Sequence, residues 1–262
     1  MLPTLLDIGF IKLYTQGVFM VLAFLWGSFL LWRHVSLTSY KEESVFDGIF
    51  ISLFGGLFVG RILFVLFNFD EFGFNPLKFV LVNGYPGMSA IGLIGGFFMT
   101  LYLFCAWNKY SFFKLVDYVI APFFLALAIV KLGSFFSGSE IGTQTKFFIS
   151  LKYPSLDGAR HLTPLYESIL FFVGAYLAHQ IMKRVRREKY TEGFNLMFFL
   201  WYYGLVSALA DPITSFKTVL HGYSFQLIIS LFMLLTVSIY FIYYFRASLF
   251  NKPFRFMKKK KK

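Results

Sequence analysis

The sequence predicts an all-α integral membrane protein, a seven-transmembrane helix bundle with a polar cavity open to the outer leaflet. Three observations indicate this class: the composition, the spacing of the apolar runs, and a few ionisable residues inside those runs. Apolar residues make up 58% of the 262 residues and charged residues 15%, whereas about 25% of a soluble domain is charged. Such a chain has too few charges to cover a surface in water, and its hydrophobicity excludes intrinsic disorder.

Seven apolar runs are long enough to cross a bilayer, which takes about 20 residues for a hydrocarbon core of about 30 Å. The predicted spans are 11–32, 46–68, 87–107, 112–136, 164–182, 194–213 and 222–245. The first span is too long for a signal peptide and lacks the basic segment and small-residue cleavage site of one. Together the spans form one predicted membrane domain, 1–250, followed by a basic tail, 251–262.

The basic residues of the predicted loops set the orientation, because cytoplasmic loops are enriched in lysine and arginine. An N-out, C-in arrangement places 17 of them in the cytoplasm and six on the opposite side. The basic tail then faces anionic lipid of the inner leaflet. The net charge is +12, but the distribution of the basic residues favours a membrane surface as their partner. We do not expect the protein to bind nucleic acid.

One cysteine, Cys105, is present. A single thiol excludes a disulfide framework and a multi-cysteine metal site. We therefore expect no metal and no cofactor.

Four ionisable residues within the spans stand out: Arg61, Lys131, Glu167 and Asp211. Such residues are costly in a bilayer and usually face the bundle interior or a water-filled cavity. An arginine beside lipid suits a phosphate group, which it grips through two parallel hydrogen bonds. The alternative is a buried ion pair of Arg61 with Glu167 or Asp211 that only fixes packing.

Stretches of small residues lie at the same predicted boundary. Glycines four residues apart precede Arg61 and let another helix approach closely. The third span opens with 87–96 (GMSAIGLIGG), and the fourth ends within 131–142 (KLGSFFSGSEIG). Each stretch alone is typical of a helix-packing face, but together with Arg61 they predict a cavity in the outer half of the bilayer.

Five segments resemble, in order and spacing, the motifs of prolipoprotein diacylglyceryl transferases, a family of seven-span bacterial enzymes. The family's Gly-Gly-x-x-Gly-x-Arg motif is similar to 55–61, and its Gly-Met-Ser-x-His-Gly-Gly-Leu-Ile-Gly motif to 87–95. Its signature Gly-Arg-x-Gly-Asn-Phe-x-Asn-Gly-x-x-x-Gly resembles 130–142. Its Arg-His-Pro-Ser-Gln-Leu-Tyr-Glu and Tyr-Gly-x-x-Arg-x-x-x-Glu motifs resemble 160–167 and 203–211.

The chain departs from these motifs at several positions. The histidine of the third-span motif is missing, and Ala90 or Ile91 stands in its place. The other replacements are Lys131 for arginine, Ser134 and Ser137 for asparagine, Ser207 for arginine, and Asp211 for glutamate. The motif residues kept unchanged are Arg61, Gly138, Gly142, Arg160, His161, Tyr166, Glu167, Tyr203 and Gly204.

The resemblance implies transfer of a diacylglyceryl group from phosphatidylglycerol to the lipobox cysteine of a prolipoprotein signal peptide, in the bacterial inner membrane. Glycerol-1-phosphate is the leaving group. This chemistry needs a thiolate as nucleophile, cations that stabilise the departing phosphate, and two substrates held together beside lipid.

Candidate residues for these tasks come from the motifs. The candidate substrate contacts are Arg61, Lys131, Ser134, Gly142, Arg160 and Tyr203, and the candidate catalytic residues are His161, Glu167 and Asp211. His161 fits thiol deprotonation because histidine is the usual side chain for proton transfer near neutral pH. A solvated loop histidine beside Arg160 is the alternative. Glu167 and Asp211 would otherwise pair with the cations and orient them.

Two other functions stay open at the level of sequence. One is a non-catalytic relative that binds phospholipid or a lipoprotein precursor, which the replaced motif residues favour. The other is an unrelated transporter or channel, which would predict pseudo-symmetric halves with broken helices. The sequence shows no convincing internal repeat of that kind.

Overall fold

The computed structural model describes residues 2–9, 12–81, 84–153, 156–215, 219–220 and 223–250. In chain order the helices are α1 (Thr15–Val35), α2 (Glu42–Phe67), α3 (Phe69–Phe72), α4 (Pro76–Val80), α5 (Ala90–Trp107), α6 (Phe112–Ser137), α7 (Thr163–Arg186), α8 (Phe194–Ala210) and α9 (Phe225–Phe250). A 3-10 turn, Asp211–Ile213, follows α8 directly. The strands form antiparallel hairpins, β1 (Thr4–Asp7) with β2 (Lys12–Tyr14), β3 (Ser150–Lys152) with β4 (Ala159–His161), and β5 (Val219–Leu220) with β6 (Tyr223–Ser224).

Seven of the described helices are long and apolar enough to cross a membrane, and they fall on the seven predicted spans. The predicted all-α membrane bundle is confirmed. Helix α1 begins later than predicted because residues 12–14 pair with β1 instead. Helix α5 also begins later, because Gly87 has φ +147° and the Ser89 hydroxyl caps the helix by accepting the N–H of Gly92 at 3.2 Å. The predicted tail, 251–262, lies outside the described residues.

Helices α2 and α5 pack in close contact through glycine. A Cβ added to Gly56 would lie 2.7 Å from the carbonyl oxygen of Leu93, and one added to Gly92 would lie 2.9 Å from the Cα of Gly60. Both distances are too short for an ordinary contact. The small residues that the sequence placed four apart therefore let these two backbones meet.

Helix α6 occupies the centre of the bundle, between α1 and α7. Phe124 at its middle is fully buried, and its ring lies 4.9 Å from that of Phe199 in α8 and 6.1 Å from that of Phe171 in α7. Pro122 is accommodated within the same helix. This aromatic core fixes how α6, α7 and α8 are arranged around the polar residues of α6.

A buried carboxylate joins α6 to α8 at the far end of the bundle. Asp117 accepts the backbone N–H groups of Gly193 at 2.7 Å and Asn195 at 2.9 Å. These N–H groups belong to the first turn of α8, where no carbonyl precedes them within the helix and a negative charge is favoured. The contact sets the register of α8 against α6.

Short extended segments cover the opposite end of the bundle, and we call residues 141–153, 156–161 and 213–215 the strand layer. Segment 142–145 lies between two partners: Gly142 pairs with Thr214, and Gln144 pairs with Arg160 of β4. The layer thus ties the loop that follows α6 to the start of α7 and to the end of α8. All of the candidate site residues lie in or near this half of the molecule.

Candidate functional site

A cavity of about 410 Å³ lies between α2, α5, α6, α7, α8 and the start of α9, beneath the strand layer. One side of it is apolar, with lining residues that include Phe64, Phe67, Leu93, Ile94, Leu127 and Phe171. The other side is polar, with lining residues that include Lys131, Ser139, Glu140, Glu167, Tyr203, Asp211 and Thr214. The rings of Phe67 in α2 and Phe225 in α9 lie 4.3 Å apart at its edge.

Lys131 forms the centre of the polar side. Its Nζ lies 2.7 Å from Glu140 Oε2 and 2.8 Å from Glu167 Oε2, so one ammonium joins two carboxylates. We call these three residues the Lys131 ion group. The Ser134 hydroxyl, one turn along α6, donates to Glu140 Oε1 at 3.2 Å.

The members of the Lys131 ion group differ in exposure. The side chain of Glu167 is 6% exposed, whereas those of Lys131 and Glu140 are 24% and 38% exposed. An ammonium has three N–H donors, and the two carboxylates take two of them. Among the described residues this leaves one donor of Lys131 for a ligand in the cavity.

Asp211 and Tyr203 form another wall of the cavity. Asp211 opens the 3-10 turn after α8, and one of its carboxylate oxygens accepts the hydroxyl of Ser224. Tyr203, two turns earlier, is buried, with its ring parallel to that of Phe171 at 6.0 Å. The end of α8 therefore presents an acid to the cavity across from the Lys131 ion group.

Arg61 makes a different set of contacts from those expected. Its guanidinium donates to four backbone carbonyls, those of Lys78 at 2.8 Å, Phe79 at 2.9 Å, Tyr85 at 2.8 Å and Gly87 at 2.9 Å. It is buried and does not line the cavity. The partner of Glu167 is Lys131, so Arg61 does not form the ion pair with Glu167 that was considered as its alternative.

Arg160, His161 and Gly142 lie in the strand layer rather than in the cavity lining. Arg160 donates through Nη1 to the Gly142 carbonyl at 3.3 Å. The backbone N–H of His161 donates to the Thr143 carbonyl at 3.0 Å, and its ring lies 6.0 Å from that of Phe147. A Cβ at Gly142 would overlap the carbonyl of His161, so the layer needs glycine at this position.

Two polar atoms of this layer are buried without a hydrogen-bond partner among the described residues, Nε of Arg160 and Nδ1 of His161. Tyr153 lies in the same layer. Burial raises the pKa of its phenol, and the nearby Arg160 opposes that shift. A phenol in this state carries no charge at neutral pH, so Tyr153 does not neutralise Arg160.

The structure thus brings Lys131, Glu167, Tyr203 and Asp211 together in one cavity. Ser134 contacts this group through its hydrogen bond to Glu140. It keeps Arg61, Arg160, His161 and Gly142 outside the lining. Sequence reasoning missed Glu140, which lay within the quoted stretch 131–142 but carried no assignment. The signal for it was a charged residue directly after a run of small residues at the end of a span.

Some of the positions that distinguish this chain from the family motifs line the cavity. Ala90 and Ile91 line it together with Ser89 and Met88. Ser207, in contrast, is buried in α8 and does not belong to the lining. The third-span segment therefore contributes to this site without a side chain that accepts a proton.

These features define a membrane-spanning helical bundle with an ion group in a cavity between its helices. The chain matches the family model of prolipoprotein diacylglyceryl transferase over residues 3–244. It belongs to that family.

Relatives with curated names agree with this assignment. A phosphatidylglycerol–prolipoprotein diacylglyceryl transferase of Clostridium tetani is 27% identical over 213 residues, which cover 79% of this chain and 83% of the relative. The enzyme of the same name from Staphylococcus haemolyticus is 28% identical, over 76% of this chain and 73% of the relative. That of Legionella pneumophila is 32% identical, over 63% of this chain and 66% of the relative.

The predicted family, fold class and enzyme class are therefore confirmed. The protein is a multi-pass bacterial membrane protein and a transferase of lipoprotein biosynthesis.

Proposed function

We propose that this protein moves the diacylglyceryl group of phosphatidylglycerol to the thiol of a lipobox cysteine in prolipoproteins. The observation that supports this proposal is the position of the Lys131 ion group, at the polar end of a cavity whose other side is apolar. A phospholipid has the same division, with a charged phosphate joined to apolar chains. The family membership and the names of the relatives agree with this choice of donor and acceptor.

Lys131 is the proposed phosphate-binding residue. It is the cation of the cavity lining among the described residues, and its third N–H group is available to a phosphate oxygen. As the bond between the glycerol carbon and the phosphate oxygen breaks, negative charge grows on the phosphate. A positioned cation in a site that excludes water stabilises that charge more strongly than it would in solution.

Glu167 and Asp211 have proposed supporting roles. Glu167 is buried against Lys131 and fixes the direction in which the ammonium points. Asp211 is available to hydroxyl groups of the glycerol headgroup, because a carboxylate accepts several hydrogen bonds. Tyr203 forms the floor between these two acids, and Ser134 holds Glu140.

Arg61 is a proposed positioning residue instead of a phosphate contact. Its four hydrogen bonds hold the backbone of residues 78–79 and 85–87 against α2, and residues 85–87 lead into Ser89, Ala90 and Ile91 of the cavity lining. Arg160, His161 and Gly142 act in the same way on the strand layer. They hold segment 142–145, which follows Glu140 along the chain and pairs with Thr214 through Gly142. Glu140 and Thr214 both line the cavity.

We further propose an N-out, C-in orientation in the inner membrane, with residues 1–250 as one membrane domain and 251–262 as a basic cytoplasmic tail. The charge asymmetry of the loops supports this orientation. The cavity then faces the outer half of the bilayer, on the side where exported prolipoproteins arrive.

Complementation tests the function directly. The gene is expressed in a bacterium depleted of its own transferase, and a reporter lipoprotein is examined by mass spectrometry. Addition of one diacylglyceryl group to the lipobox cysteine supports the proposal. Purified protein in vesicles, supplied with phosphatidylglycerol or with phosphatidylethanolamine as sole donor, then identifies the headgroup.

A non-catalytic relative is the second candidate, favoured by Ala90 and Ile91, which give the cavity no proton acceptor at this segment. Saturable binding of phosphatidylglycerol without transfer, in the same vesicles, would identify it.

A further inference from the structure

The proposed reaction requires a group that removes the proton of the cysteine thiol, since the thiolate is the nucleophile. Among the described residues that line the cavity, none is a histidine. His161 lies in the strand layer, outside the lining. The proton acceptors that line the cavity at neutral pH are therefore the carboxylates of Glu140, Glu167 and Asp211.

The exposure of these carboxylates separates them. Glu167 is buried, at 6% exposure of its side chain, and has its ammonium partner at 2.8 Å. Asp211 is buried and accepts the Ser224 hydroxyl. Glu140 is 38% exposed and therefore the most accessible of the three to a thiol that enters from outside.

Local structure aims Glu140 at the site. Helix α6 ends at Gly138, whose φ of +71° is the left-handed conformation that glycine adopts readily at such positions. The chain turns back over the last turn of α6, so that Glu140 Oε1 meets Ser134 and Oε2 meets Lys131. Both oxygens are anchored by donors, and each has a lone pair left for a further proton donor.

The charge of the site favours proton uptake once donor lipid is bound. Glu140 and Glu167 share one ammonium, that of Lys131. A phosphodiester on the third N–H group of Lys131 adds another negative charge. Like charges in one site favour protonation of one member, so binding of the lipid drives proton transfer from the thiol.

We propose that Glu140 is the general base that deprotonates the lipobox thiol of this protein, with its action coupled to phospholipid binding at Lys131. The inference rests on the proposed function. The Glu140 carboxylate takes the thiol proton, and a sulfur electron pair forms the bond to the glycerol carbon. The bond from that carbon to the phosphate oxygen breaks, and its electrons stay with the phosphate. Glu140 then returns the proton to the glycerol phosphate that leaves.

A selenocysteine substrate tests this role, because a selenol is already ionised at neutral pH and needs no base. Purified wild-type protein and Glu140→Gln are compared in phosphatidylglycerol vesicles with two lipobox peptides that differ only in cysteine or selenocysteine. Glu140→Gln keeps the size of the side chain and one oxygen acceptor. We expect it to lower transfer to cysteine by about 10²–10³-fold, within the range for a general base, and to transfer to selenocysteine within tenfold of the wild-type rate.

The control variant is Lys131→Ala, which should lose transfer to both peptides because the leaving phosphate is the same in each. Equal losses on both peptides in Glu140→Gln would mean that Glu140 only holds Lys131, and would overturn the proposal. Full activity of Glu140→Gln on cysteine would overturn it as well. Absence of transfer to both peptides by the wild-type protein would instead be the failure of the proposed function. Thermal unfolding of each variant in detergent confirms that the losses come from folded protein.

Discussion

Lys131 is the residue on which the polar half of the cavity depends, because its ammonium neutralises two carboxylates at once. Its removal leaves Glu140 and Glu167 close together without a cation, and breaking a buried pair in this way costs about 3–5 kcal/mol. Arg61 carries the same charge but is more deeply buried, donates to backbone carbonyls and lies over the rings of Phe64 and Phe72. We therefore expect the loss of Lys131 and the loss of Arg61 to have different effects on transfer rate and stability.

Lys131→Ala should lower the transfer rate by about 10²–10³-fold, the usual effect of removing one group that stabilises developing negative charge. Lys131→Arg, which restores the residue of the family motif, should keep or raise the rate, because its fork also reaches a carboxylate and a phosphate. The rate of transfer to a lipobox peptide in phosphatidylglycerol vesicles is measured for both variants. A Lys131→Ala rate within threefold of the wild type would show that the phosphate binds elsewhere.

The double variant Lys131→Met, Glu167→Gln separates stability from catalysis. Replacing both charges removes the unpaired Glu167 carboxylate that Lys131→Ala leaves buried. We expect thermal unfolding of the double variant at a higher temperature than that of Lys131→Ala, while its transfer rate stays as low. Recovery of the rate together with stability would contradict the proposed phosphate contact.

Arg61→Ala should act mainly on stability, because hydrogen bonds from a charged donor contribute about 1.5–3 kcal/mol each and four carbonyls lose their donor. Arg61→Lys should not restore it, since three N–H groups of a flexible ammonium do not reproduce the planar fork. The unfolding temperature of each variant in detergent measures the loss of stability. If Arg61→Ala kept its unfolding temperature and only raised the KM for phosphatidylglycerol, Arg61 would be a phosphate contact after all.

At the scale of the elements, the contact between α2 and α5 is the one that sequence patterns describe best. Gly56 and Gly92 are packed against backbone atoms, whereas Gly95 in the same α5 segment has no atom within 4 Å of an added Cβ. This pair of elements forms one side of the cavity, with Phe64 and Phe67 from α2 and Leu93 and Ile94 from α5. A shift between the helices would therefore change the apolar wall.

Gly56→Ala should destabilise the protein by about 1–3 kcal/mol, the usual range for overpacking, because the added methyl has to push α5 away. Gly95→Ala is the matched control. It adds the same methyl on an open helix face, where alanine is favoured over glycine by roughly 0.8–1.0 kcal/mol. Unfolding temperatures in one detergent compare the two variants, and equal values would contradict the close helix contact.

At the scale of the whole molecule, the seven helices place the candidate site at one end of the bundle and the far-end contact of Asp117 with α8 at the other. The positive charge of the loops determines which end faces the cytoplasm. In the proposed N-out, C-in orientation, the strand layer lies outside, above the cavity, and the cluster of basic residues at the end of α7 lies inside.

Fusions of alkaline phosphatase and a fluorescent protein test this orientation. A fusion after residue 189 should be active only with the cytoplasmic reporter, and insertions within 140–160 only with the exported one. Western blots of each fusion control for expression. Reversed activities would place the cavity in the inner half of the bilayer and remove the proposed meeting point with exported prolipoproteins.

The sequence by itself determined the number of membrane-spanning helices, the fold class and the family, because these follow from properties that are local along the chain. The length of an apolar run decides whether a helix crosses the membrane, glycines four apart mark a contact face, and ordered motifs identify relatives. The acids and the lysine of the cavity were also visible, since ionisable residues in spans are rare enough to stand out.

Only the tertiary structure decided which of these residues meet. Arg61 and Lys131 both lay within predicted spans beside small residues, yet Arg61 donates to four carbonyls of the segment that follows α2, while α7 and the turn after α6 bring two acids to Lys131. Glu140 lies beside Lys131 because the chain makes a left-handed turn at Gly138. Which residues become partners across the bundle depends on how the helices pack and where the loops lead. Neither the spacing of residues along the chain nor a motif gives the distance between two side chains in space.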